Sequence, residues 1–193
     1  MWGKVVLGGL VAGILVFFWG AIAHVALPLG EMGIRTIPDE QAVLGAMKNA
    51  IREPGFYFFP GHDMKKPLSE SEQKAFDDKI KQGPTGVLVI HPEGGEAMSP
   101  RQLLTELASN VAAALLAALV LTQVRSGYLG RLLVVTLMGV FGFVSISVSY
   151  WNWYGFPLDF STGEAIMEIV GWFLAGLVLA AIVRPRVAAP VAP

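Results

Sequence analysis

Cysteine is absent from the 193 residues of this chain. Its absence excludes disulfide bonds, cysteine-ligated zinc, iron–sulfur clusters and c-type haem attachment. An excess of one sign of charge is lacking too, because 14 lysines and arginines stand against 15 aspartates and glutamates. The basic residues are also not concentrated in one region of the sequence. We therefore predict no nucleic-acid partner, whose binding requires a basic surface.

Motifs of the common catalytic sites are missing as well. The chain contains no glycine-rich phosphate loop, no nucleophile elbow and no paired metalloprotease histidines. His62 and His91 lie near Asp63, Glu93 and Glu96 in the sequence, in a pattern that could bind a metal ion. Their turn-forming neighbours explain these polar residues equally well. We therefore predict no metal site, no cofactor and no enzymatic activity.

Long apolar runs are the main positive feature, because 54% of the residues are hydrophobic and only 15% are charged. A helix needs about 20 mostly apolar residues to cross the hydrocarbon layer of a membrane. Four stretches qualify, and capping motifs at residues 99–102 and 161–164 start two of them. The sequence predicts an all-α integral membrane four-helix bundle. Its spans lie within residues 1–28 and at about 100–124, 132–151 and 162–184.

The first apolar run has a second interpretation. Lys4, the run itself and the small residues 21–23 resemble a secretory signal with its cleavage site. The run is longer than the core of a typical signal, however, and it carries Phe17, Phe18 and Trp19 close to that site. Both features favour a retained transmembrane helix.

Positive charges beside the spans predict the orientation, because short cytoplasmic segments carry an excess of lysine and arginine. The basic residues on one predicted side are Lys4, Arg125, Arg131, Arg184 and Arg186. The opposite short loop, residues 152–160, contains Asp159 and no basic residue. We therefore predict a multi-pass protein of the cell membrane with both termini in the cytoplasm. Residues 29–99 then lie outside, and residues 100–193 contain the other three spans and a short cytoplasmic tail.

The outer segment, residues 29–99, carries most of the charged residues and reads as a small domain. Residues 37–40 open a helical pattern, and a capping box at residues 69–72 opens a second one. Two β-rich runs, residues 56–59 and 87–90, follow these helices. The order predicts a small α+β extracytoplasmic domain inserted between helices 1 and 2. Because it is too small for a generous core, it should rest on the membrane or on a partner.

Small residues recur at helical spacing on every predicted span. In lipid they allow helix backbones to approach closely, since burial against apolar tails gives no driving force. On the third span, for example, Gly139, Gly142, Ser145 and Ser149 share one helical face. The positions expected to pack the bundle are Gly9, Gly13, Gly139, Gly142, Gly171 and Ala175.

Polar residues in the spans fall toward the predicted outer leaflet, where they would form one neighbourhood. They are His24, Glu106, Asn110, Ser149 and Glu168. One interpretation is a shared site that relays a proton, holds a divalent cation or contacts a quinone-like head group. The other, which we favour, is that headgroups and loop residues solvate these side chains, which then only hold the bundle together. Separate helices lack the fixed spacing of a metal motif.

Aromatic residues gather at the predicted outer interface. They are Tyr150, Trp151, Trp153, Tyr154, Phe156 and Phe160. Tryptophan and tyrosine are enriched at the headgroup level of membranes, so we interpret these residues as an interfacial aromatic belt. A platform for a ligand or pigment is the alternative.

The overall plan is similar to that of small four-span proteins such as claudins and tetraspanins. Those families depend on cysteines in their outer loops, so the similarity transfers no function and no residue. The sequence favours a non-catalytic accessory or assembly subunit of a larger bacterial-type membrane complex. Its partners would be the lipid bilayer and other membrane subunits or further copies of itself. The alternatives are a small oligomeric transporter or channel using Glu106 and Glu168, and, last, a membrane redox or lipid enzyme using His24 and the carboxylates.

Overall fold

A computed structural model describes residues 1–185 as a mostly helical protein with one two-stranded sheet. In chain order the elements are α1 (Trp2–Val25), α2 (Glu40–Ala50), β1 (Gly55–Phe59), α3 (Glu70–Gln82), β2 (Gly86–Ile90), α4 (Pro100–Leu121), α5 (Tyr128–Gly142), a π-helical segment (Phe143–Ser147), α6 (Val148–Tyr154) and α7 (Leu158–Ile182). The chain divides into two compact units. The helical unit is Met1–Ile34 with the chain from Met98 onward, and the loop unit is Arg35–Ala97.

Four stretches of the helical unit are long and apolar enough to cross a membrane. They are α1, α4, α7 and the continuous helix formed by α5, the π-helical segment and α6. Each has 22 to 27 residues, which matches the length that a bilayer requires. The four long helices of the predicted bundle are therefore present, and their length and composition are compatible with a multi-pass membrane protein.

The predicted capping box at residues 99–102 is confirmed. The Ser99 hydroxyl accepts a hydrogen bond from the Gln102 N–H at 3.3 Å, and the Gln102 carboxamide oxygen accepts one from the Ser99 N–H at 2.7 Å. Two N–H groups that would otherwise lack partners are thereby satisfied at the start of α4. The helix ends at Leu121, slightly before the predicted residue 124, because residues 122–124 form a turn.

The predicted capping box at residues 161–164 is wrong. Helix α7 begins at Leu158, and the Ser161 N–H already donates to the Pro157 carbonyl oxygen at 3.0 Å. Proline suits a helix start because it needs no N–H partner there, and Asp159 in the first turn complements the helix dipole. Every residue of α7 consequently lies about one turn deeper in the helix than the sequence predicted.

The third long helix also differs from its prediction of residues 132–151, since it runs from Tyr128 to Tyr154. Its π-helical segment carries an i to i+5 hydrogen bond from the Val148 N–H to the Phe143 carbonyl oxygen. Such a segment adds a residue to one turn and rotates everything beyond it around the helix axis. Ser145 lies within this segment and Ser149 lies beyond it, and both are exposed.

We call the two ends of the helical unit the turn end and the loop end. The turn end holds the start of α1, the turn at residues 122–127 and the last turn of α7. A Cβ built on Gly8 would lie 3.1 Å from a methyl carbon of Val183, so α1 and α7 are in contact there. The loop end is the opposite end, where α4 and α7 begin.

The packed core lies toward the turn end. Its buried residues are Val5, Ala12, Ala114, Ala117, Ala118, Leu121, Val135, Ala175, Leu179 and Val183. In contrast, residues 100–113 of α4 and residues 140–154 of the third long helix contain no buried residue. Toward the loop end, burial is thus confined to α1 and α7, at Ala23, Ser161 and Gly163, while the faces of α4 and the third long helix stay open.

Small residues permit the closest helix contacts. Gly9 and Gly13 are buried, and a Cβ at Gly13 would overlap the backbone of Val111 on α4. On α7, Gly171 lies against the ring of Trp19, while Ala175 is fully buried. These four positions belong to the predicted packing set. The remaining two, Gly139 and Gly142, contact α7 beside the carboxylate described below.

The loop unit has the predicted helix–strand–helix–strand order. The strands β1 and β2 pair antiparallel from Gly55 opposite Ile90 to Phe59 opposite Gly86. The predicted capping box at residues 69–72 is confirmed, and the Ser69 hydroxyl and N–H both donate to the Glu72 carboxylate. These two hydrogen bonds lower the pKa of Glu72. No residue of Arg35–Ala97 is buried, so the unit has no core of its own.

Candidate functional site

Glu168 is the central residue of the polar cluster. Its carboxylate accepts a hydrogen bond from the Trp172 indole N–H, one turn later on α7, at 2.9 Å. The same oxygen faces Gly142 of α5, where a Cβ would come within 3.1 Å of it. Gly142 therefore leaves the space that the carboxylate occupies, and a larger residue there would have to displace it.

The two helices approach closely beside this carboxylate. A Cβ at Gly139 would lie 2.8 Å from the Trp172 Cβ and 3.0 Å from the Glu168 carbonyl oxygen. The π-helical segment begins immediately after Gly142 and packs against α7. π-Helical turns inserted in α-helices occur frequently at functional sites. The irregular turn and the carboxylate therefore occupy the same part of the third long helix and α7.

Glu106 and Asn110 supply the α4 side of the cluster. The Asn110 side-chain N–H donates to the Glu106 carboxylate at 3.0 Å. Helix α4, which carries Glu106, contacts α7, where Glu164 lies one turn before Glu168. The structure thus places three of the five predicted polar residues on two helices that are in contact, and adds Glu164. We name Glu106, Glu164 and Glu168 the carboxylate face.

His24 and Ser149 do not join this cluster. The His24 Nδ1 atom is hydrogen-bonded to the Gly20 carbonyl oxygen of its own helix at 2.9 Å, and its ring lies against Gly30. Ser149 follows the π-helical segment and is exposed. Within residues 1–185, neither side chain is hydrogen-bonded to a carboxylate of the face. A relay that uses the histidine and the carboxylates together has no geometric support.

The position of Glu168 along its helix differs from the predicted one. It is the eleventh of 25 residues in α7, which places its Cα about 15 Å from the first residue and about 21 Å from the last. A hydrocarbon core of about 30 Å would include this position. Because α7 begins at Leu158, before the predicted residue 162, Glu168 lies nearer to the middle of the helix than predicted. Its side chain is exposed on the surface of the protein.

The predicted aromatic residues form a contiguous group. The ring of Tyr150 stacks on Tyr154 at 5.5 Å and contacts Phe156 at 5.6 Å, and Phe156 meets Phe160 edge-on at 5.3 Å. Two further members of the predicted belt, Trp151 and Trp153, are exposed on α6. The group lies at the loop end, where α6 ends and α7 begins.

Two tryptophans in the spans act as hydrogen-bond donors, which the sequence did not predict. The Trp19 indole N–H donates to the Met167 carbonyl oxygen at 2.9 Å and links α1 to α7 beside the carboxylate face. Trp172 holds Glu168 itself. Both lie inside apolar runs, where a hydropathy scale does not register the N–H donor of the indole ring. Their spacing gives no signal, because the partners are a backbone carbonyl on another helix and a glutamate one turn away.

Arg131 has a role that the orientation argument did not predict. Its side chain is buried at the turn end, where it donates to the Ser126 carbonyl oxygen at 2.6 Å and to the Ala180 carbonyl oxygen at 2.7 Å. A cation near the last carbonyls of a helix is favourable. Arg131 therefore ties the turn at residues 122–127 to the end of α7. Arg186, another predicted orientation marker, lies outside the described residues.

Metal binding has no geometric support among the described residues. No group of three or more histidine, aspartate or glutamate side chains is placed to hold an ion there. In the loop unit, the His62 ring instead packs edge-on against Phe76 with a centroid distance of 4.7 Å.

Comparison with known proteins gives no match to any protein-family model, curated protein or solved structure. A function for the chain therefore has to be argued from its own geometry.

Proposed function

We propose that this chain is a multi-pass protein of the cell membrane that acts as a non-catalytic accessory or assembly subunit of a larger membrane complex. Four apolar helices of spanning length support the membrane location. The carrying observation is the open loop half, where α4 and the third long helix bury no residue while Glu106 and Glu168 are exposed. Lipid tails cannot satisfy exposed carboxylates, whereas a neighbouring subunit can.

The proposed orientation keeps both termini in the cytoplasm, with residues 1–28 as the first span, residues 29–99 outside and residues 100–193 following. Lys4, Arg125 and Arg184 are exposed at the turn end, which supports a cytoplasmic location for that end. No acidic residue accompanies them in residues 1–8, 122–131 or 177–185.

The loop unit supports the same proposal. An isolated two-stranded ribbon is only marginally stable in water unless a third strand or a helix covers it. Here the ribbon and both helices lack a buried residue. A membrane surface or a partner protein that covers this unit would supply the burial that its own residues do not.

Purification from native membranes without overexpression tests the proposal. We expect the chain to co-purify in constant ratio with other integral membrane proteins, and to lose stability when separated from them. A chain that is recovered only as a monomer or as a self-contained oligomer, with full thermal stability, would contradict the accessory role.

The second candidate is a small oligomeric transporter or channel. The observation in its favour is the proximity of Glu106, Asn110 and Glu168 within the spans, since carboxylates at such depth often carry protons or ions. Purified protein in liposomes would then conduct protons or cations, and Glu168→Gln would abolish the flux without unfolding the protein. The absence of flux in the native protein, together with a stable heteromeric complex, would exclude this candidate.

A further inference from the structure

We propose that the carboxylate face is the docking site for a transmembrane helix of a partner protein that carries a lysine or arginine near its centre. This inference rests on the proposed function, because it assumes a bilayer around the four long helices and a partner within it. It adds the place of contact and the chemistry that the partner must provide.

The open faces of α4 and the third long helix toward the loop end supply the space. Helices α4 and α5 follow each other in sequence but contact each other only sparsely. Helix α4 packs mainly against α1, which also packs against α7. Toward the loop end, α4 presents Leu104 at 65% exposure and the third long helix presents Phe141 at 74%. Apolar side chains of this kind suit either lipid or a partner helix. The space alone therefore does not choose between them.

The charge chooses. Glu106 and Glu168 are exposed and Glu164 is partly exposed, and none of the three has an ion-pair partner among residues 1–185. An exposed carboxylate at hydrocarbon depth is costly unless a cation or a donor neutralises it. Asn110 and Trp172 each provide one hydrogen bond, and neither carries a positive charge. Lipid tails offer neither donors nor charge.

Residues 1–185 offer no suitable cation. Their lysines and arginines in or next to the spans are confined to helix ends, at Lys4, Arg101, Arg125, Arg131 and Arg184. The described residues of a second copy would therefore bring another Glu168 to that depth and no positive charge. A different protein with a lysine or arginine at that depth complements the face, in the way that charged residues in membranes pair with one another.

A synthetic helix tests the chemistry without knowledge of the natural partner. The probe is a leucine- and alanine-based peptide of about 23 residues with one lysine at its centre, and its matched control has leucine there. The central position makes the test independent of the direction in which the peptide inserts. The full chain, labelled through Ser126→Cys on a background without native cysteine, is placed in liposomes, and energy transfer to the labelled peptide reports binding.

We expect the lysine peptide to bind about tenfold more tightly than the leucine peptide, as for a polar contact between helices in lipid. The double variant Glu106→Gln with Glu168→Gln keeps the shape of the face and removes two of its charges, so the preference should disappear. Glu70→Gln, on the surface of α3, removes a charge elsewhere and should preserve the preference. Circular dichroism of each variant confirms that the helices are intact.

Equal binding of the two peptides, or a preference that survives the double variant, would overturn the inference. The same variant separates this failure from failure of the proposed function. If the native complex forms and the double variant joins it undiminished, the docking site is wrong and the accessory role stands. If native membranes yield no heteromeric complex, the accessory role itself fails.

Discussion

Replacing Gly13 with alanine should force α1 away from α4. A Cβ at this position would overlap the backbone of Val111 and would lie 2.7 Å from its amide nitrogen. Backbone atoms cannot rotate aside, so the helices must separate by roughly 1 Å to reach an ordinary contact distance. A gap of about 0.5–1 Å removes a quarter to a half of the dispersion attraction between the facing atoms.

The expected magnitude follows from two opposing terms. Overpacking of this kind costs about 1–3 kcal/mol, and a rigid backbone neighbour places Gly13 at the upper end. The gain in helix propensity from glycine to alanine offsets about 1 kcal/mol. We therefore expect a net loss of about 2 kcal/mol in the free energy of unfolding. At about 2–4 °C per kcal/mol, the thermal midpoint in detergent should fall by about 4–8 °C.

Gly20 provides the matched control on the same helix. A Cβ at Gly20 would meet no atom within 4 Å, so Gly20→Ala changes propensity without a clash. Its thermal midpoint should equal or slightly exceed that of the native protein. The midpoint is measured by tryptophan fluorescence and by size-exclusion after heating. Equal midpoints for the two alanine variants would refute the close approach of α1 and α4 at Gly13.

Three further predictions concern orientation, the turn end and the loop unit. An impermeant thiol reagent should label Ser71→Cys but not Ser126→Cys in intact cells, and the reverse pattern would contradict the orientation. Arg131→Met leaves two backbone carbonyls without their charged donor and should cost about 2–4 kcal/mol, measured as thermal stability in detergent. Arg125→Met, at an exposed position, should change stability by no more than about 0.5 kcal/mol. An NMR titration should give Glu72 a pKa below its ordinary value of 4.5. The contribution of Glu72 to the stability of α3 is then present above pH 4.5 and is lost as the pH falls through the lowered pKa of the folded state. A pKa at or above 4.5 would contradict the capping box.

Local signals in the sequence predicted most of the secondary structure. The capping boxes at residues 69–72 and 99–102 were predicted correctly because the side chain and the N–H groups involved are only three residues apart. The capping box predicted at residues 161–164 was wrong, although its sequence matches the motif equally well. Pro157 and Asp159 start the helix earlier, and a serine whose N–H is already bonded within a helix does not serve as its cap.

The candidate site was predicted in part. Asn110 and Glu106 are hydrogen-bonded one turn apart on α4, as their helical spacing indicates, because spacing is a property of a regular helix. Ser149 lies beyond the π-helical segment, and one added residue in a turn rotates it away. The local sequence contains no signal that predicts the π-helical segment.

By itself, the sequence determined the four apolar helices, their approximate limits and the small α+β unit between the first two. Hydropathy, capping and helical spacing depend on residues that are near one another along the chain. The tertiary structure alone decided that the core lies toward the turn end, that Gly142 faces the Glu168 carboxylate, and that α4 and the third long helix stay open toward the loop end. These features depend on which helix faces which, and that choice is made by the shapes of surfaces distant in sequence.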